Sequence, residues 1–159
     1  MNGRVTLALL SSAFFTCAFA QSEGKPNFTG EWQMDSAKSD FGKFPVPTTI
    51  IRNIVQKDPD LTIDTTQRAS NGEQTARVRY RTDGSDTTNR LASGPAISHA
   101  FWDGQTLVIR TTMKGKGNMD VLMEERWDLS PDGRTLTTTS HIETSKGSTD
   151  LKLVCEKVK

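Results

Sequence analysis

Cysteine is scarce: the 159 residues hold two, Cys17 and Cys155. Cys17 falls in an N-terminal segment expected to be removed, so one thiol remains and an intramolecular disulfide is excluded. A lone thiol in an oxidising compartment is buried and inert, or pairs between chains if exposed. Cys155 sits in the apolar run 151–158 with few cations placed to lower its pKa, which speaks against a reactive thiol. Histidine is equally sparse, and His99 and His141 have no metal-ligand spacing to cysteines or carboxylates. There is no H-x-x-x-H pair, no G-x-S-x-G elbow and no Gly-rich phosphate loop. No cofactor and no metal are therefore expected. Excess charge is also missing. Arg4 is the only charged residue of the first twenty, and residues 21–159 carry 19 basic and 19 acidic side chains. That balance excludes a nucleic-acid partner, which needs concentrated Lys and Arg, and electrostatic docking on an anionic membrane. No window repeats apolar residues at i, i+3, i+4 and i+7 over three turns, so helices are not expected to build the domain.

The long hydrophobic run that is present lies at residues 5–18, preceded by Arg4. It is shorter than the ~20 residues of a membrane span and ends in Ala18-Phe19-Ala20, small at both cleavage-determining sites. This is the pattern of a secretory signal peptide, cut before Gln21. Lipid attachment at Cys17 is the alternative, but Phe14, Phe15 and Thr16 precede it where a lipobox wants a small residue. The expected organisation is a signal peptide at 1–20, a linker at 21–27 and one domain at 28–159. The product is expected to be periplasmic or secreted, with no integral membrane span. A chain of this length can bury a core without covalent staples.

The domain is rich in threonine, with 19 after residue 20, and threonine suits a half-exposed strand surface. Strand-like runs recur at 28–34, 48–57, 61–67, 75–82, 87–91, 96–102, 105–114, 119–129, 134–143 and 148–158. Turn chemistry separates them: Asp58-Pro59-Asp60, Ser70-Asn71-Gly72, Asp83-Gly84, Asp103-Gly104, the tip 115–118 and Pro131-Asp132-Gly133. Residues 35–40 read as one helical turn capped by Asp35 or Ser36, and 41–47 as a Pro-rich loop. Short turns force antiparallel neighbours. A meander of eight to ten strands avoids exposed edges by closing on itself. The fold expected is all-β, a single antiparallel up-and-down barrel, with a two-sheet sandwich as the alternative.

The opening Phe28-Thr29-Gly30-Glu31-Trp32-Gln33-Met34 resembles the F-x-G-x-W start of the calycins, the lipocalins and fatty-acid-binding proteins. The hairpins from Trp102-Asp103-Gly104 to Cys155-Glu156-Lys157-Val158 resemble the second half of a fatty-acid-binding protein. The 27–41 stretch resembles the start of exported bacterial lipocalin-like proteins. The resemblance implies a barrel whose Gly30 permits a close turn and whose Trp32 plugs the closed end, with a small apolar or amphipathic ligand inside. Two family features are missing. Leu153 and Cys155 stand where an R-x-Y carboxylate clamp would be, and 41–47 leaves no room for a helix pair.

Candidate ligand contacts come from the strand faces. Tyr80, Met123 and Trp127 lie on apolar faces, as core or as cavity wall. Arg110 is a candidate for holding an acidic head through paired hydrogen bonds, although its face, with Thr106, Thr112 and Lys114, otherwise reads as solvated. Arg77, Arg79 and Arg81 form a stripe read as a solvated face or a site for an acidic partner. The face Met119, Val121, Met123, Glu125, Trp127, Leu129 is apolar except at Glu125, and the face Leu136, Thr138, Ser140, Ile142 is half polar. A dry barrel does not readily accept an unpaired carboxylate. A polar-lined pocket is therefore expected, walled by Tyr80, Trp102, Arg110, Met123, Glu125 and Trp127. The functions consistent with this are a non-catalytic binding protein for a small hydrophobic or amphipathic molecule, a protein-interaction module with a filled barrel, and an enzyme built on the cavity.

Overall fold

The structure, a computed structural model, describes residues 24–158. The signal segment 1–20, Cys17 and the cleavage site at Gln21 lie outside the described residues. The turn residues divide the chain into β1 (Gly30–Met34), β2 (Thr49–Lys57), β3 (Asp60–Ala69), β4 (Gly72–Arg81), β5 (Asp86–Leu91), β6 (Gly94–Asp103), β7 (Thr106–Lys114), β8 (Asp120–Leu129), β9 (Thr135–Thr144) and β10 (Gly147–Lys157). The tip between β7 and β8 closes as a 3-10 turn at Lys116–Asn118, with Gly117 at φ 71°. All pairings are antiparallel within one sheet, ordered β4-β3-β2-β1-β10-β9-β8-β7-β6-β5. One sheet in this order is an up-and-down barrel and removes the sandwich alternative.

Residues 35–38 close a single turn, with the Lys38 N–H on the Asp35 carbonyl at 3.3 Å and Asp35 as the cap, and no helix continues through 39–40. The Asp35 carboxylate accepts the Ala37 N–H at 3.0 Å, an Asx turn. Asp40 then pairs with Lys152 through reciprocal backbone hydrogen bonds of 2.7 Å. The side-chain competition and the sheet edge prevail over a helix too short to propagate.

The register fixes which residues face inward. Trp32 stands opposite Arg52 and Lys157, Arg52 opposite Thr65, and Ile54 opposite Ile63. On the far wall Ile109 faces Glu125, and Glu125 faces Ser140. The core gathers at one end of the barrel, where Phe28, Trp32, Ile54, Leu61, Leu107, Trp127, Leu136 and Cys155 are buried. A strap formed by the residues before β1 closes that end. The Trp32 indole N–H donates to the Phe28 carbonyl at 2.8 Å, and the Phe28 N–H donates to Gln56 Oε1 at 2.9 Å. Gly30, at φ 145°, leaves room for Lys157, whose ammonium lies 5.2 Å from the Trp32 ring centroid.

The ladder stops between β4 and β5, the two ends of the sheet, although these strands lie side by side. A side chain bridges them. Buried Asn89 on β5 accepts the Arg79 N–H at 2.8 Å and donates to the Arg79 carbonyl at 2.9 Å, imitating one ladder pair. Asn89→Ala leaves both Arg79 groups without this partner, and a loss of about 1–3 kcal/mol is expected. Hydrogen exchange checks it: the Arg79 amide should lose protection in the variant while the β7–β8 amides keep theirs. Unchanged exchange at Arg79 would show that another contact closes the barrel.

Candidate functional site

Strand alternation places two charged side chains inside the barrel. On β2 the inward face reads Ile50, Arg52, Ile54, Gln56; on β8 it reads Val121, Met123, Glu125, Trp127. Arg52 and Glu125 thus interrupt apolar faces on opposite walls. Both line a cavity of about 290 Å³, together with Ile50, Met123, Thr138 and Ser140. Its mouth is covered by the 41–47 loop, which contributes Phe41, Phe44, Pro45 and Pro47. Fixed φ at the prolines keeps this loop from joining the ladder, so it crosses the opening instead.

The Arg52 guanidinium reaches across the barrel. Its Nη1 donates to the Thr138 hydroxyl at 3.3 Å, and its central carbon lies 5.3 Å from the Trp127 ring centroid. Among the described residues, the buried Arg52 Nε–H and the buried Trp127 indole N–H have no hydrogen-bond partner. By contrast, the buried Ser98 and Thr111 hydroxyls satisfy each other at 2.9 Å. Glu125 is 8% exposed. Burial raises its pKa above the usual carboxyl range, opposed by the Arg52 charge and by a hydrogen bond from Ser140. Arg52 and Glu125 attract across the cavity, and Ser140 also favours the ionised carboxylate. Tyr80 is buried within range of both; burial and the Glu125 charge raise its pKa, and Arg52 lowers it.

Of the residues expected to wall the pocket, Met123 and Glu125 line it and Trp127 lies beneath Arg52. Tyr80 is inside the barrel, opposite Leu61 toward the closed end. Trp102 points inward but lies at the closed end, stacked on Phe28 with centroids 5.9 Å apart. Arg110 does not point inward. Its neighbours Leu107, Ile109 and Thr111 take the interior face, and Arg110 lies outside, donating to Glu124 at 2.8 Å and placed over Phe101. It borders an outer depression of about 400 Å³ with Leu122, Glu124 and Glu143. The inward cation is Arg52, which sequence reasoning passed over. The signal was available: an arginine between Ile50 and Ile54 breaks an apolar face in the way that Glu125 does.

The remaining sequence candidates are surface features. Arg77 forms two hydrogen bonds to Asp64, of 2.6 and 2.7 Å, and Arg81 pairs with Asp83 at 2.7 Å, so cross-strand and turn acids neutralise much of the arginine stripe. His141 is exposed between Asp150 and Glu143, and the Asp150 hydrogen bond raises its pKa. Among the described residues no group of three or more His, Cys, Asp or Glu is placed to hold a metal. No helix there is long and apolar enough to cross a membrane. Cys155 is fully buried and its pKa is raised by that burial, so pairing between chains would require it to be uncovered.

No protein-family model and no curated protein matches the sequence. Solved structures do. Zebrafish ileal bile acid-binding protein, complexed with cholic acid, is 18% identical with a TM-score of 0.56, over 82% of this chain and 98% of that one. Secretory abundant heat soluble protein 4 from Ramazzottius varieornatus is 12% identical with a TM-score of 0.57, over 86% and 97%. The Schistosoma mansoni fatty acid binding protein, in complex with arachidonic acid, is 10% identical with a TM-score of 0.52, over 83% and 96%. Strand order, inward tryptophans and these structural matches together identify the fold as calycin-like, a ten-stranded antiparallel barrel strapped at one end and looped over at the other.

Proposed function

We propose that the chain is an exported, non-catalytic binding protein that holds a small apolar or amphipathic molecule inside its barrel. The observation that carries this is the cavity beneath the 41–47 loop, which combines apolar walls with half-buried Arg52 and buried Glu125. A packed interaction module has no use for two charges on its inner faces, since each costs several kcal/mol to desolvate. A concave apolar site with a few convergent polar groups is the usual form of a small-molecule site. The structural likeness to proteins solved with cholic acid and with arachidonic acid adds support. Export rests on residues 1–20 and their Ala18-Phe19-Ala20 ending.

The cavity is small. At about 30 Å³ per water-sized group, 290 Å³ holds roughly ten heavy atoms. The probe of matching size is 1-decanol. Titrating the protein should change its tryptophan emission, because Trp127 packs against Arg52, which lines the cavity. Native mass spectrometry should show one decanol per chain, and the exported product should begin at Gln21. No emission change and no bound decanol would remove the binding reading. An intact Met1 or a lipid on Cys17 would remove the export reading.

A further inference from the structure

The binding reading leaves open what kind of polar end the cavity accepts, and its electrostatics answer that. Arg52 offers only donors, and Glu125, when ionised, offers only acceptors. They stand on facing walls of the same cavity, and the carboxylate's side-chain hydrogen bond comes from Ser140, not from the guanidinium. No hydrogen bond or ion pair joins the two side chains among the described residues, and the cavity they share can admit a polar group. The donor side is under-used: the buried Arg52 Nε–H and Trp127 indole N–H both lack acceptors. With Glu125 ionised the pair is neutral in sum, and a carboxylate entering the cavity would then leave a net negative charge in a desolvated site.

We propose, resting on the binding reading, that the cavity selects an amphipathic molecule whose polar end is uncharged and both accepts and donates hydrogen bonds, an amide or a hydroxyl, over a bare carboxylate. The ligand oxygen accepts from the Arg52 guanidinium, and its N–H or O–H donates to Glu125. Glu125 is then a specificity-determining residue: it rejects the acids that Arg52 alone would attract.

The test compares decanamide with decanoate at pH 7.5, followed by tryptophan fluorescence, on the full-length chain and on Glu125→Gln. The wild-type protein should bind decanamide at least tenfold more tightly than decanoate. In Glu125→Gln the acid should gain at least tenfold and the amide should not, which reverses or cancels the preference. Tighter binding of decanoate by the wild type, or a Glu125→Gln variant with unchanged preference, overturns the selection rule while leaving the binding function standing. Binding of neither probe by either protein takes down both. Should Glu125→Gln fail to fold, the wild-type order decides alone, and decanoate ahead of decanamide overturns the proposal.

Discussion

Trp32→Ala is expected to lower the folding free energy by about 3–5 kcal/mol, the cost of emptying a large buried aromatic site. Trp32 is 0% exposed and does two jobs. Its ring fills the closed end beside Phe28, Trp127 and Leu136. Its indole N–H holds the Phe28 carbonyl, and Phe28 in turn is held by Gln56. Alanine therefore opens a cavity and loosens the strap together. Phe28 also stacks on Trp102 and meets Trp127 edge-on at 5.6 Å, so the disturbance should reach the far wall. Denaturant unfolding checks this through the midpoint at constant slope. A mesophilic domain of this size holds roughly 5–15 kcal/mol in total, and the variant should be marginal. A loss under about 1 kcal/mol would mean that the end is plugged by Phe28 and Trp127 without need of Trp32.

The prominence of Trp32 was legible from F-x-G-x-W alone, and so were the strands, because each turn carries residues that punctuate a chain whatever its fold. Inward and outward faces were legible where alternation is clean. Ala76, Val78 and Tyr80 turn inward and Arg77, Arg79 and Arg81 outward, as their spacing requires. The same rule places Arg110 outside, among Thr106, Thr112 and Lys114. Holding an acidic head inside the barrel would need Arg110 to face inward, and the register went with the alternation. Depth along the barrel was not legible. Trp102 has the inward face expected of it, but whether an inward residue meets the cavity or the plug depends on the stagger of neighbouring strands. That stagger is set by packing and turn geometry together. The role of the 41–47 loop was hidden for a similar reason: prolines announce a loop, and only the Asp40–Lys152 pairing shows that it passes over the mouth.

Arg52→Leu should abolish the site and make stability depend on pH in a particular sense. Leucine keeps much of the packing on Trp127 but removes the charge that moderates Glu125. With that attraction gone, burial acts on the carboxyl opposed only by Ser140, and its pKa rises further. A carboxyl whose pKa is higher folded than unfolded binds protons more tightly when folded. It therefore leaves stability intact in acid and costs stability as pH rises above the ordinary value of 4.5 toward the raised one. The wild type should show this fall mildly, and Arg52→Leu steeply. The deficit of the variant should be small near pH 4 and grow to about 3 kcal/mol at pH 8, the order expected for a buried charge deprived of its partner. Replacing both residues, Arg52→Leu with Glu125→Gln, should flatten the profile and recover much of the loss, because the unpaired charge is then gone. Unfolding midpoints of the wild type, both single variants and the double variant at several pH values close the cycle. A deficit independent of pH, or single-variant losses that simply add in the double variant, would mean that Arg52 acts by packing on Trp127 and that Glu125 does not feel it. A deficit that tracks the titration of one buried carboxyl would tie the two charges to a single site, the one on which ligand choice is proposed to depend.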